Sequence, residues 1–155
     1  MKIRKAKGYS LVEMMIVIAI IGIVAMISSF TWQRYVNNAN LRTAARLLES
    51  DIANAKQRSI KEGLHYHMTI SMGTPGNYTI EKWNNNDTAL ISVMAIKSPT
   101  DSGTGLFISS PSCTITFQPR GTTPNRTVTL QNSRGSTATI TTTITGRSYV
   151  TFSMQ

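Results

Sequence analysis

The N-terminal part of the sequence contains an apolar segment without a polar face. No polar residue interrupts positions 14–27, and the flanking residues 9–12 and 28–30 extend the segment to nearly the roughly 20 residues that cross a bilayer core. A buried helix of a soluble protein normally carries a polar face, and a cleaved secretory signal has a shorter apolar region followed by small residues. We therefore predict a transmembrane helix over residues 9–35.

After this segment the hydrophobic pattern becomes one-sided. Apolar or small residues recur every three or four positions, and charged residues fall elsewhere around the helix. This stripe consists of Leu41, Ala45, Leu48, Ile52, Ala55 and Ser59. It is shorter than three heptads and lacks regular flanking charges, so packing on a sheet is favoured over a coiled coil. We predict an amphipathic helix over residues 36–63, with Gly63 as its C-cap.

Beyond Gly63 the chain consists of short runs rich in Thr, Ile, Val and aromatic residues, separated by turn-forming residues. These runs predict antiparallel strands at residues 65–71, 78–83, 89–96, 113–117, 127–131, 137–144 and 148–152, with a short strand at 106–108 inside a surface loop over 97–112. Alternation puts Ile140 and Ile144 on one face. We predict an α+β fold in which the long N-terminal helix packs on antiparallel β-sheet formed by residues 64–155.

Charge orients the predicted transmembrane helix. Lys2, Arg4, Lys5 and Lys7 precede it, and the positive-inside bias keeps such a cluster in the cytoplasm, so the remaining chain is expected to be exported. These cations contribute to a formal net charge of +9, which makes part of the basicity a targeting signal. One acid, Glu13, lies within the apolar segment. Such an acid costs about 2.5–3.5 kcal/mol at the membrane centre and is usually functional, unless it lies solvated at the interface.

Residues 7–13, Lys-Gly-Tyr-Ser-Leu-Val-Glu, with apolar residues directly after them, resemble the class III signal of type IV pilins and type II secretion pseudopilins. The resemblance implies that a prepilin peptidase/N-methyltransferase cuts after Gly8, removes residues 1–8 as a leader and methylates the new N-terminus, Tyr9. It implies that Glu13 pairs with the N-terminal amine of a neighbouring subunit. Residues 9–35 would then serve as inner-membrane anchor and filament core, with a cytoplasmic leader and a periplasmic domain.

A second resemblance lies in the C-terminal part of the chain. Residues 115–122 (Ile-Thr-Phe-Gln-Pro-Arg-Gly-Thr), 127–132 and 144–147 resemble the GspH/FimT group of minor pilins and pseudopilins. This resemblance implies a minor subunit at or near the tip of a type IV pilus or type II secretion pseudopilus. Such a subunit helps to start assembly together with other major and minor pilins or pseudopilins.

Little in the sequence points to catalysis. The 7 Asp and Glu residues are scattered, and neither a nucleophile motif nor a phosphate-binding glycine loop appears. His65 and His67 would share one face of a strand, but no third metal ligand follows at a suitable spacing. The single cysteine, Cys113, cannot form an intrachain disulfide and is typical of a small core residue. We predict a protein that assembles, without catalytic residues, metal or cofactor.

Arginines dominate the charge of the C-terminal third. Beyond Asp101 the sequence has no Asp or Glu, and it has arginines in or beside predicted turns at Arg120, Arg126, Arg134 and Arg147. Loops that gather these side chains at one end of a sheet would attract the phosphates of DNA, in a salt-sensitive and sequence-independent way. A solvated basic rim or a contact with neighbouring pilins is the simpler explanation.

The alternative function follows from the same resemblance. Some FimT-type minor pilins are DNA receptors in natural transformation, and they use a glycine-arginine motif with a second arginine two residues on. Gly146 and Arg147 match this motif, whereas Tyr149 takes the place of the second arginine. A pilus-associated DNA-binding receptor is therefore the second hypothesis.

Overall fold

The computed structural model describes residues 9–155, except for the side chains of residues 27–31. The described backbone forms a long helix, α1 (Leu11–Glu62), followed by strands and one short 3₁₀ helix. The chain divides into two compact units between Tyr35 and Val36. The predicted leader, residues 1–8, lies outside the described residues.

The first unit contains the apolar part of α1. Every large apolar side chain over residues 11–26 is exposed, from 44% at Val17 to 76% at Leu11. In the part of the chain that the structure describes, no helix combines the length and the apolar character needed to cross a membrane. The transmembrane segment over residues 9–35 stays a prediction.

The second unit begins with the amphipathic part of α1. All six residues of the predicted stripe are at most 2% exposed, and Ala44 is buried beside them. The helix ends at Glu62, and Gly63 takes a positive φ of 67°. The Leu64 amide donates to the Ser59 carbonyl at 3.3 Å, the bond that closes a Schellman motif. Both the stripe and the C-cap are confirmed.

The strands follow the predicted runs closely. They are β1 (Tyr66–Ser71), β2 (Asn77–Trp83), β3 (Leu90–Lys97), β4 (Leu106–Ile108), β5 (Cys113–Phe117), β6 (Arg126–Asn132), β7 (Thr137–Thr142) and β8 (Ser148–Ser153). All recorded strand pairs are antiparallel and form two four-stranded sheets. The first sheet has the order β3-β2-β1-β5, and the second has the order β4-β6-β7-β8. The predicted α+β fold is confirmed.

One apolar core joins the amphipathic part of α1 to both sheets. The buried face of α1 belongs to the same cluster as Met68 and Ile115 of the first sheet and Leu130 and Ile140 of the second. On each strand these residues alternate with polar ones, so the outer faces carry many threonines. Burial of the helix stripe therefore holds the two sheets together in one unit.

One predicted strand boundary and one predicted loop need correction. β7 ends at Thr142, and Ile144 is 66% exposed, because the chain turns where Gly146 donates to the Thr143 carbonyl at 2.7 Å. The predicted surface loop over residues 97–112 is more ordered than expected. It contains a 3₁₀ helix (Pro99–Ser102) whose capping box is formed by Ser98 and Asp101.

Candidate functional site

The first candidate site is the exposed apolar part of α1. Glu13 lies in the first turn of the helix and is exposed, and the Met14 amide donates to the Ser10 carbonyl at 3.2 Å. Tyr9 precedes the helix and is 77% exposed. Gly8, the predicted cleavage position, lies outside the described residues. A helix surface that exposes this much apolar area is typical of an interaction surface.

The structure brings together three of the four arginines named in the sequence analysis. Arg126 is paired with Thr142 at one end of the β6–β7 ladder, and Arg147 lies directly before β8 at the same end. Arg120 lies in the turn before β6, next to Gly121. All three arginines are exposed, and in the described part of the chain none of them forms an ion pair with a carboxylate.

Arg134 lies at the opposite end of the second sheet, so the four arginines do not all gather at one end. It is part of the β6–β7 hairpin, where the Asn132 Oδ1 atom accepts hydrogen bonds from the amides of Arg134 and Ser136, both at 3.0 Å. The Asn132 Nδ2 atom donates to Asn38 of α1 at 3.1 Å. Antiparallel pairing separates the two ends of a hairpin, and this separates Arg134 from Arg126.

Sequence reasoning missed a lysine at the arginine end. The Lys56 Nζ atom of α1 donates to the Thr145 carbonyl at 2.8 Å, below the loop that carries Arg147. The other end is marked by Asn38, which contacts Asn132 next to the turn that carries Arg134. Lys56 and Asn38 are 18 positions apart, or about 27 Å along an α-helix, so the two ends of the sheet lie far from each other. Lys56 lies outside the apolar stripe, so the helix pattern gives it no role. Its contact with Thr145 depends on the packing of a loop that is distant in the sequence.

Two glycine turns pack closely at the arginine end. Gly121 and Gly146 have positive φ angles of 80° and 68°. A Cβ atom on Gly146 would lie 2.5 Å from the Gly121 carbonyl oxygen and 2.8 Å from the Lys56 side chain. Glycine is therefore required at position 146 both for its backbone conformation and for space. The cations Lys56, Arg120, Arg126 and Arg147 form what we call the basic end of the second sheet.

The basic end is suited to hold an anion. A shallow depression of about 460 Å³ lies beside Arg126 and Tyr149, open to solvent. Exposed guanidinium groups without an internal acid bind phosphates or carboxylates through charge-assisted hydrogen bonds.

The structure places only one of the two histidines within β1. His67 stacks on Trp83 with a centroid distance of 4.7 Å, and its Nε2 atom lies 2.7 Å from Asp87 Oδ1. His65 precedes β1, so the expectation of two histidines within one strand is wrong. Over residues 9–155, no three His, Cys, Asp or Glu side chains lie close enough to hold a metal ion. Burial raises the pKa of the Cys113 thiol, which is partly buried against the core.

Two charged contacts link α1 to the first sheet. Asp51 accepts hydrogen bonds from the Tyr78 hydroxyl at 2.8 Å and from Lys97 Nζ at 2.8 and 2.9 Å. Burial, together with the bond to Asp51, raises the pKa of Tyr78 above its ordinary value. Glu62 lies 2.6 Å from Lys82 Nζ, and this hydrogen bond lowers the pKa of Glu62. These contacts fix the orientation of β2 and β3 relative to the amphipathic part of α1.

An exposed apolar helix that begins with one acid, followed by an amphipathic part packed on antiparallel sheet, defines a pilin-type subunit. Family comparisons agree with this class. Residues 3–29 match the prokaryotic N-terminal methylation motif, and residues 44–146 match the type II transport protein GspH. The chain belongs to the GspH family. Searches of curated proteins and of solved structures each found no significant match.

The family assignment defines the general type of the protein. The two matching families consist of structural pilin or pseudopilin subunits. The methylation motif implies processing by a prepilin peptidase and assembly with other pilins or pseudopilins.

Proposed function

We propose that this protein is a minor subunit cleaved between Gly8 and Tyr9, methylated at Tyr9, and inserted through residues 9–35 into the inner membrane and then into a pilus or pseudopilus. The observation that carries the proposal is the position of Glu13. It is the one acid among the exposed apolar residues 11–26, four positions after Tyr9. An acid in an apolar filament core needs a cation, and the amine created by cleavage provides one in the neighbouring subunit.

Mass spectrometry of the membrane-bound protein tests the processing step. We expect a chain that begins at Tyr9 and carries one methyl group. Gly8→Val should leave the leader attached, whereas Ser10→Ala, on the other side of the cut, should be processed normally. A full-length chain in the wild type, or a cut beyond Phe30, would contradict the proposal.

We further propose that the subunit lies at or near the tip of the filament and helps to start assembly. Membership of the GspH family supports a minor rather than a major subunit. Labelled protein should then appear at one end of each filament, and deletion of the gene should reduce the number of filaments more than their length. Uniform labelling along the filament would exclude a tip position.

The second candidate function is DNA binding by the basic end of the second sheet. Three exposed arginines and Lys56 meet there, and the sequence has no Asp or Glu beyond Asp101. In gel-shift titrations, duplex DNA should bind at low ionic strength and dissociate as salt rises. The double variant Arg126→Ala/Arg147→Ala should weaken binding, and Arg134→Ala, at the opposite end, is the matched control. Equal loss in both variants, or no binding at low salt, would remove this function.

A further inference from the structure

The first sheet ends in an edge strand that is apolar on both faces. β3 pairs with β2 on one side, and no described strand pairs with its other side. Five of its residues, Leu90, Ile91, Val93, Met94 and Ile96, are between 43% and 69% exposed. Natural edge strands are usually protected from pairing by charges, prolines or a covering segment. Within β3 the only charged residue is Lys97, at its end.

Two bulges interrupt the alternation of side chains along β3. The β2–β3 register shifts between Ile80 and Glu81 and again between Lys82 and Trp83, which leaves Ile91 and Met94 as the extra residues. A bulge breaks the alternation of side chains and redirects them. Met94 and Ala95 consequently both line a groove of about 160 Å³ between β3 and α1.

One charged side chain of the groove makes no ion pair among the described residues. Asp51 lies in its wall but is neutralised by Lys97. Arg58 of α1 is exposed and also lines the groove. Within residues 9–155 its guanidinium makes no hydrogen bond or ion pair. The hydrogen bond from Lys82 lowers the pKa of Glu62, and the charge of Arg58 adds a smaller effect from a longer distance. The groove thus combines an apolar strand edge with a cation that a carboxylate would satisfy.

We infer that an extended segment of another pilin-type subunit docks along β3, with an Asp or Glu side chain placed in the groove against Arg58. A strand beside an edge gains main-chain hydrogen bonds, and a groove selects its alternate side chains. The two bulges disturb the regular spacing of main-chain donors and acceptors along β3, so the side chains in the groove contribute much of the specificity. The inference rests on the proposed function, because filament assembly is what brings the second subunit.

Edge-to-edge pairing with a second copy of this chain would not supply the acid. The edge strands of the two sheets are β3, β5, β4 and β8, and none of them contains Asp or Glu. Pairing between copies through these edges would place no carboxylate against Arg58. The donor strand therefore comes from a different protein with an acidic residue in an extended segment.

Photo-crosslinking in the native membrane tests this inference with the full chain. A photoreactive residue at Met94 should link to a different filament subunit, within a peptide that contains Asp or Glu. Arg58→Gln should lower the yield about tenfold, which corresponds to about 1.4 kcal/mol. Arg58→Lys should retain most of the yield, and Arg46→Gln, an exposed arginine on the same helix, is the matched control.

The outcomes distinguish this inference from the proposed function. A photoreactive residue at Ile20 reports on assembly of the exposed apolar helix. Links from Ile20 but none from Met94 would overturn the docking surface and leave the proposed function standing. Absence of links from both positions would overturn both. Links from Met94 to a second copy of this chain, or a yield that Arg58→Gln leaves unchanged, would also overturn the inference.

Discussion

The two parts of α1 share one backbone conformation but differ completely in burial. Over residues 11–26 every large apolar side chain is at least 44% exposed, whereas the stripe from Leu41 to Ser59 is at most 2% exposed. The amphipathic part finds its partner within the chain, in the two sheets. The apolar part exposes its large side chains instead, and so much exposed apolar area is typical of an interaction surface. One helix thus serves folding in its second part and, we propose, assembly in its first.

The charges of the two parts differ in the same way. The amphipathic part has acids whose cations lie in the same chain, such as Asp51 with Lys97 and Glu62 with Lys82. Glu13 has no recorded ion pair within residues 9–155. A substitution in the first part should therefore affect assembly, and one in the second part should affect stability.

The largest effect is expected at Glu13. Glu13→Gln should reduce incorporation into filaments by about a hundredfold or more, because an unpaired amine in an apolar core costs about 3–5 kcal/mol. Quantitative immunoblotting of sheared filaments against the membrane fraction gives this ratio. Glu49→Gln, in the amphipathic part, is the control and should be incorporated normally. Normal incorporation of Glu13→Gln would remove the distinction between the two parts.

The next effect is expected in the packed stripe. Ile52 is 0% exposed, and Ile52→Ala should lower the free energy of unfolding by about 2–5 kcal/mol through lost burial and a cavity. Urea denaturation of the detergent-solubilised full chain, followed by circular dichroism, measures this change. Ile20, 55% exposed, provides the matched Ile20→Ala variant, which should change it by less than about 0.5 kcal/mol. An equal loss of unfolding free energy in Ile52→Ala and Ile20→Ala would contradict the difference in burial between the two parts of α1.

The third prediction compares a glycine in each part of the molecule, Gly146 in a packed turn and Gly22 in the apolar part of the helix. Gly146→Ala should destabilise the second unit by about 1–3 kcal/mol, because of its positive φ and the close Gly121 carbonyl. At Gly22, in the apolar part of the helix, a Cβ atom would meet no atom of the described residues within 4 Å apart from its own stretch of helix backbone. Gly22→Ala should instead favour the helix by about 0.5–1 kcal/mol. Thermal unfolding shows whether each variant is more or less stable than the wild type. A Gly146→Ala protein as stable as the wild type would contradict the close packing of the turns.

The smallest effect concerns pH. The hydrogen bond from Lys82 lowers the pKa of Glu62 below its ordinary value of 4.5, so ionised Glu62 stabilises the fold at pH values above that value. This stabilisation is lost as the pH falls through the lowered pKa. The exposed pair should contribute little. The urea midpoint of the wild type should exceed that of Glu62→Gln at pH 6, and the difference should shrink as the pH falls below 4.5. A constant difference would exclude the ion pair as its cause.

The sequence by itself determined the elements and their chemistry. The 3.6-residue period marked the buried stripe, Gly63 marked the helix end, and Thr-rich alternation marked the strands within a few residues. The signal around Gly8 and Glu13 and the turns around Gly121 and Gly146 indicated the family, which the comparisons confirmed. These features are local, because each depends on residues close together in the chain.

Only the tertiary structure decided which distant residues meet. Strand pairing placed Arg126 and Arg147 at one end of a sheet and Arg134 at the other, and the packing of Gly121 on Gly146 brought Arg120 to the first end. All four arginines look alike in sequence. Loop packing brought Lys56 to Thr145, and the bulges of β3 turned Met94 into a groove beside Arg58. Register, bulges and loop contacts depend on pairing between segments far apart in the chain, and local periodicity carries no information about that pairing.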